Sequence, residues 1–552
     1  MTAVNLLESQ NYSGNEALAK GVYDAGVRIA TGYPGSPSTR FIEHLTEISG
    51  EEVYVEWSAN EKVAFEIALG GSMSGVRTAV CFKCVGLNVA MDPLMVANLA
   101  GVVGGMLIVL GDDPGARGSQ NEQDGRILAR AAEIPVLEFS SPQEAYDMAG
   151  FAFELSEEFR LPVMIRETKA GSEERGRIET HGKRMERPNI PFSKTTNWKN
   201  LPTRQLDKHR ELHAKIPKIS GVFDEAPFNQ ATVDGSTGII GVGYASRKVS
   251  RLLSEGKVDS LSFLKLGTVY PPPDRLILKF LGKMERVLVV EEVKPFIERH
   301  VRALAFMNHL DLEVHGRDTG HLPPCGDILR EDLIGGIERS LGYEFPMDIV
   351  WKEDARGPNI LDVPLPGECP YYHAFEAFSE VMPEDPEERP IFIGDEGCLM
   401  RLKNEPFRML DSKFCMGASI GMASGLALGG ERRRAISLMG DSSFFHTGLP
   451  SFINAVVNNA NIVIIILNNG TTALTGCQNH PGTGMDTRGK RRRGIDIEKV
   501  VRSSGVEDLH VIDAFKDRDR AKEVFKHVLE EEGLKVIIVN GTCAKLLGGS
   551  CG

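Results

Sequence analysis

The sequence predicts a multidomain α/β protein, and three observations carry that prediction. Apolar runs of strand length alternate with amphipathic helical stretches along most of the chain, the pattern of βαβ units and parallel sheets. The 552 residues are enough for roughly three or four domains, and a hydrophobic fraction of 42% supplies their cores. The pattern breaks once, at HGKRMERPNIPFSKTTNWKNLPTRQLDKHRELHAKI, which is polar, basic and punctuated by prolines. That stretch reads as a linker with one helix and a solvated charged face. The predicted division is a first domain over residues 1–180, a linker over 181–235, a second α/β domain over 236–344 and a last domain over 345–552.

In the first block GNEALAKGVYDAGV predicts a helix that leads into the strand RIATGYP, and GSPSTRFIEHL turns into a second helix with Ser and Thr as caps. Strand-like runs recur at VYVEW, TAVCF, GMLIVLGD, PVLEF and PVMIR, with helical text between them, which gives one doubly wound domain. Within VEWSANEKVAFEIALGGSMSG a strand ends and Glu61 falls near the start of a helix, where the dipole alone favours an acid. Glu56, inside the strand run, reads as structural. The block after the linker has strands at GIIGVGYA, LSFLKLG and RVLVVEEV and helices at SRKVSRLLSEG and PPDRLILKFLG. It holds no cluster of catalytic residue types and reads as scaffold or interface.

The most informative stretch is GDSSFFHTGLPSFINAVVNNANIVIIILNN, from Gly440 to Asn469. An apolar run, AISLMG, ends at Asp441, a helix follows from near Phe444, and a second apolar run, NIVIIIL, ends at Asn468 and Asn469. Strand, helix, strand sets the two strand ends side by side at the carboxyl edge of a parallel sheet, where α/β proteins bind ligands. A carboxylate and an amide oxygen there suit Mg²⁺, which takes few protein ligands and completes its shell with phosphates and water. Gly440 lets a diphosphate approach the backbone, and the helix start offers free N–H groups. An ordinary βαβ unit with a capping Asp and a turn of two Asn is the alternative reading.

This pattern resembles the diphosphate-binding motif of thiamine diphosphate enzymes. The resemblance makes Asp441, Asn469 and the Thr471 carbonyl metal ligands, with Gly440, Ser442 and Ser443 beside the diphosphate. It also gives Glu61 a role, because thiamine chemistry needs a carboxyl group on the aminopyrimidine ring. Together TGYPGSPST, NEKVAFEIALG, VGLNVAMDPLM, GDDPGARGSQNEQDGR, CMGASIGMASGL, GDSSFFHTGLPSFINAV and NNGTTALTGCQNHPGTG resemble the indolepyruvate ferredoxin oxidoreductase alpha subunit, of the 2-oxoacid oxidoreductase superfamily. That resemblance implies a pyrimidine-binding domain, with Tyr33 and Pro34 as cofactor contacts, a transketolase C-terminal-like domain and a diphosphate-binding domain. It implies oxidative decarboxylation of an aryl or branched 2-oxoacid, coenzyme A as a further ligand, and a homodimer or larger assembly that includes a small second subunit. Non-oxidative decarboxylation, lyase or carboligase chemistry is the alternative.

The chain also departs from the family pattern. It ends in NGTCAKLLGGSCG, where relatives carry a ferredoxin-like segment, and Cys543 with Cys551 cannot hold a four-iron cluster alone. No iron–sulfur cluster is therefore expected in this chain, and the electron acceptor is expected on another. Cys369, Cys398 and Cys415 fall in one block and read as buried thiols or cluster ligands. Cys81 and Cys84 form a CxxC that reads as packing, a redox pair or half a zinc site; the resemblance puts a histidine at Cys84. Of the histidines, His480 in the loop after Asn469 and His446 after Asp441 are the catalytic candidates, with His373 behind them. Lys490 to Arg493 form a basic run that suits an anionic ligand or an acidic partner.

Composition limits the rest. A net charge of −13 argues against nucleic acid as a partner. No apolar run reaches the roughly 18 to 20 residues of a membrane span, and MTAVNLLESQNYSG lacks a signal pattern. Nine scattered cysteines read as reduced thiols. A cytoplasmic protein is the expectation.

Overall fold

Ser13 starts the first helix, Gly14–Asp24, with a reciprocal cap: its hydroxyl accepts from the Glu16 N–H while the Glu16 carboxylate accepts from the Ser13 N–H. Gly14 is required there, since a Cβ would sit 2.2 Å from the Gly171 carbonyl oxygen. The computed structural model describes residues 11–345, apart from 183, 186–189, 195–197, 200, 257 and 259, and residues 362–548. Cys551 lies outside the described residues. The chain divides into two compact units, one of Met1–Glu56 with Glu61–Asp354 and one of Trp57–Asn60 with Ala355–Gly552.

The strands of the first unit, in chain order, are β1 (Asn11–Ser13), β2 (Ile29–Gly32), β3 (Tyr54–Trp57), β4 (Thr78–Lys83), β5 (Met106–Asp112), β6 (Val136–Glu138), β7 (Val163–Thr168), β8 (Arg175–Arg177), β9 (Gln230–Thr232), β10 (Thr237–Val242), β11 (Ser262–Leu266), β12 (Thr268–Tyr270), β13 (Arg286–Val290) and β14 (Glu313–His315). The larger sheet runs β12-β6-β7-β5-β4-β2-β3. Its parallel centre is built from the predicted apolar runs, and β5 and β7 are buried at every residue, as a sheet covered on both faces requires. The second sheet runs β14-β13-β10-β11-β9. β12, from the text after the linker, pairs antiparallel with β6 and so extends the first sheet. β1 and β8 form a short antiparallel ladder with no apolar run to announce it. The linker contributes one long helix, Gln205–Asp224.

Two arginines with no exposed surface hold the carboxyl edges of this unit. The Arg166 Nε lies 2.5 Å from Asp112 Oδ2 and its Nη1 2.9 Å from Glu138 Oε1. Arg126 binds Asp124 at 2.6 Å and Glu291 at 2.7 Å, and donates to the Glu292 carbonyl at 2.7 Å. Glu291 directly follows β13, so Arg126 stitches the second sheet to the first. Gly243 closes the same corner: its φ is +51°, and a Cβ would meet Glu138 Oε2 at 2.3 Å. Burial pushes the Asp112 carboxyl up to about 6 against the pull of Arg166.

The second unit holds one parallel sheet of β15 (Ile391–Gly394), β16 (Ser412–Lys413), β17 (Ala435–Gly440), β18 (Val463–Asn468), β19 (Leu509–Asp513) and β20 (Lys535–Asn540), in the order β16-β15-β17-β18-β20-β19. One face packs on Phe375, Phe378 and Phe525, with the last two rings stacked at 4.3 Å. The other packs on Phe444 and Phe452. Among the described residues no helix is long and apolar enough to cross a membrane.

Glu167, near the end of β7, is buried, and neither carboxylate oxygen has a hydrogen-bond partner among the described residues. Burial pushes it up to about 8 from 4.5. Between those two values the folded chain binds one proton more than the unfolded chain, so its stability falls as pH rises through that window. Glu167→Gln is therefore expected to gain melting temperature over the native chain as pH is raised from about 5 to about 9, and a constant difference across that range would contradict the assignment.

Candidate cofactor site

Parallel pairing of β17 with β18 sets Gly440 opposite Leu467, so Asp441 and Asn469 leave neighbouring strand ends. Chain order along the sheet reverses between β15 and β17, and such a switch point opens a crevice at the carboxyl edge. Asp395 follows β15 at this point and Asp441 follows β17. Both are buried.

Asp441 Oδ1 accepts the Ser442 N–H at 2.8 Å and Oδ2 the Gly470 N–H at 2.8 Å. Asn469 Oδ1 accepts the Thr471 N–H at 3.0 Å. Each of these oxygens keeps lone pairs beyond its N–H bond, so the set offers the hard oxygen donors a small divalent cation takes. A Cβ built on Gly440 or on Gly470 meets nothing within 4 Å. Open space therefore stands beside both strand ends, and a diphosphate with its cation fits the donor set.

The helix after Asp441 begins at Asp441 itself, three residues before the expected start near Phe444. The Asp441 carboxylate accepts the Ser442 N–H within that first turn. The helix then widens to a π turn over Phe444–Gly448 before resuming as Leu449–Val457, a widening frequent at functional sites. His446 is buried in that turn, with Nδ1 3.2 Å from the Thr447 hydroxyl. His480 Nδ1 accepts the Gly482 N–H at 3.1 Å, and its Nε2 lies 3.1 Å from Asp441 Oδ2. The structure thus gathers Gly440, Asp441, Ser442, Asn469, Thr471 and His480 at one edge. Ser443 is engaged elsewhere: its hydroxyl donates to Asp395 at 2.5 Å and accepts from Gly417 at 3.1 Å.

Asp395 is the residue sequence reasoning missed. It accepts from Gly417 N at 2.7 Å and Ser419 N at 2.9 Å, which caps the helix Ala418–Leu428. Burial raises its carboxyl, and the Ser443, Ser419 and Gly417 bonds oppose that. The signal was present as an acid directly after the apolar run PIFIG, the same pattern that marked Asp441.

In the first unit Glu61 is the first residue of the helix Glu61–Met73 and is buried. A Cβ on Gly86 would stand 2.5 Å from Glu61 Oε1 and 2.8 Å from Cδ, so the helix Cys84–Ala100 presents a glycine to make room for that carboxyl. Tyr33 and Pro34 directly follow β2 and are buried. Glu56 is half-buried and accepts the Tyr54 hydroxyl at 2.5 Å.

Cys81 and Cys84 are both buried. The Cys81 thiol donates to the Ser38 carbonyl at 3.2 Å, and burial pushes Cys84 up to about 12, which keeps the thiol protonated and unreactive. Cys369 and Cys543 are buried, Cys398 is half-buried and Cys415 is exposed. Among the described residues no three cysteines gather at metal-ligand distance. His373 packs its ring 5.1 Å from Phe515. Lys490 to Arg493 are exposed, and Arg492 pairs with Asp486 at 2.9 Å.

Asp395→Ala would strand two buried N–H groups and the Ser443 hydroxyl, a loss of about 3 kcal/mol. Urea unfolding is expected to show a lower midpoint with an unchanged slope; an unmoved midpoint would refute the cap.

Residues 20–217 match the family model described as pyruvate flavodoxin/ferredoxin oxidoreductase, thiamine diphosphate-binding, and residues 395–539 match that of the thiamine pyrophosphate enzyme C-terminal TPP binding domain. Over 96% of its length the chain is 36% identical to the indolepyruvate oxidoreductase subunit IorA of Pyrococcus horikoshii, covering 85% of that protein. It is 38% identical to the IorA subunit of Archaeoglobus fulgidus, over 97% of this chain and 86% of the relative. The IorA subunit of Methanothermobacter thermautotrophicus is also 38% identical, over 96% of this chain and 86% of its own length. With two thiamine diphosphate-binding domain models and relatives matched over 96–97% of this chain, the chain belongs to the indolepyruvate oxidoreductase IorA family.

Proposed function

We propose that this chain is the thiamine diphosphate-binding catalytic subunit of a 2-oxoacid oxidoreductase, acting on an indolepyruvate-like substrate with an aryl or branched side chain and passing electrons to an acceptor on another chain. The observation that carries the reading is the pair of oxygen donors, Asp441 and Asn469, at neighbouring strand ends beside open space at Gly440 and Gly470.

Asp441, Asn469 and the Thr471 carbonyl would hold Mg²⁺, and Gly440 with Ser442 would flank the diphosphate. When bound, thiamine diphosphate supplies the electron sink that lets the bond between the oxo carbon and the carboxylate carbon break. Glu61 would hold a proton at its carboxyl oxygen toward the aminopyrimidine ring, and Gly86 leaves the space that fixes that carboxyl. His480, with Nε2 3.1 Å from Asp441 Oδ2, would move a proton beside the cofactor. Ser443 acts one step back, holding the first turn of the Asp441 helix against Asp395. His446, in the π turn, is the second proton-handling group. Tyr33 and Pro34 would line the pyrimidine side, and coenzyme A would receive the acyl group.

The test uses the purified chain with thiamine diphosphate and Mg²⁺, following CO₂ release from indolepyruvate with and without an artificial one-electron acceptor. Acceptor-dependent release is expected, whereas equal release without acceptor, with aldehyde as product, would overturn the oxidative reading. Asp441→Ala should weaken Mg²⁺ and thiamine diphosphate together by about tenfold or more, read by calorimetry. Glu61→Gln should retain cofactor affinity and lose about 10²-fold or more in turnover; full turnover would remove Glu61 from the reaction.

A further inference from the structure

Among the described residues two groups bring three metal-capable side chains together, each with one ligand atom per residue within 4.8 Å of the others: Glu133 with His209 and His213, and Asp508 with His510 and His527. The second already has its cation. The Lys535 Nζ sits 3.0 Å from Asp508 Oδ2 and makes a bond of 2.7 Å to the Glu532 carbonyl, so a metal there would meet a fixed ammonium.

Among the described residues the carboxylate of the first group, Glu133, pairs with no lysine or arginine. His209 and His213 lie four residues apart on the helix Gln205–Asp224 and so share a face one turn apart, with ring centroids 6.0 Å apart. Glu133 comes from another element, the turn that ends the helix Gly125–Ala131, and its Oε1 stands 3.0 Å from His213 Nε2. Its backbone has a φ of +54°, a conformation that favours glycine. The position thus carries a side chain at a conformational cost, and that side chain reaches the imidazole face. The His213 side chain is 61% exposed and that of Glu133 25%, which leaves a path for an ion from solvent.

We propose that Glu133, His209 and His213 form a binding site for a zinc-type divalent cation, with two imidazole nitrogens, one carboxylate oxygen and a water in the fourth position. Two imidazoles and one carboxylate are a ligand set zinc accepts in tetrahedral sites. They favour zinc, nickel and copper over magnesium or calcium, which prefer all-oxygen shells. The site is distinct from the Mg²⁺ site proposed at Asp441 and would clip the linker helix to the first domain.

The experiment titrates ZnCl₂ into the full-length chain after chelator treatment, with excess Mg²⁺ present, and repeats it on His213→Ala, His510→Ala and Glu133→Gly. Cobalt(II) serves as the spectroscopic probe, because free thiols elsewhere in the chain would give sulfur charge-transfer bands. One equivalent of zinc is expected, weakened about tenfold or more in His213→Ala and Glu133→Gly and unchanged in His510→Ala, with a cobalt spectrum free of sulfur bands. Glycine suits the backbone at residue 133, so Glu133→Gly should melt no lower than the native metal-free chain while losing the zinc-dependent rise in melting temperature. No zinc bound, zinc affinity unchanged in both variants, loss confined to His510→Ala, or sulfur bands from the bound cobalt would each overturn the proposal.

Discussion

The pairing of β17 with β18 is the constraint on which the cofactor edge depends. A parallel ladder fixes the relative height of two strands, and a slip of one residue would turn every side chain to the opposite face. With Gly440 level with Leu467, the first residues beyond each strand carry the carboxylate and the amide. Tyr371 secures the same edge from beneath, donating its phenol to the Leu467 carbonyl at 3.2 Å. The ladder interior is Val, Ile and Leu throughout β18 up to Asn468, so polar chemistry starts where the sheet stops.

The first unit solves a different problem, the joining of two sheets over a polar seam. Arg126 and Arg166 bury full charges, and each stands among carboxylates: Asp112, Asp124, Glu138 and Glu291. Such a seam is weak evidence for net stability, since desolvation consumes much of the Coulombic gain, yet removing one partner leaves an uncompensated charge at a cost of about 3–5 kcal/mol. The network therefore enforces one arrangement of the sheets inside this unit more than it strengthens that arrangement. The raised Asp112 carboxyl is a mark of that tension, and the neutral Glu167 close by follows the same rule without a counter-charge.

Much of this was legible in the chain because apolar runs and their polar ends are local signals. The five runs after the second helix became β3 to β7, and GDSS with NN marks the edge of the last sheet in the sequence itself. The capping Asp395 went unread because its partners, Gly417 and Ser419, lie a strand and a loop away and have no side-chain signature of their own. β12 was read with the second α/β block, since only a tertiary pairing with β6 shows that it extends the first sheet. The Asp441 helix starts three residues ahead of the expected point, because the apolar run ends without a capping signature to mark the turn. Gly86 has no sequence signal of its own, and only the space taken by the Glu61 carboxyl explains it.

The π turn at Phe444–Gly448 fixes the length of its segment. Such a widening holds one residue more than a regular turn would. Here the two flanks answer to different demands: Asp441 must remain at the strand end, while Phe452 and Ala455 must remain against the sheet. Excising one residue from the turn would restore a uniform helix and rotate one flank against the other by about a quarter of a revolution or slightly more. A chain shortened here by one residue would have to rebuild either its apolar face or its polar edge.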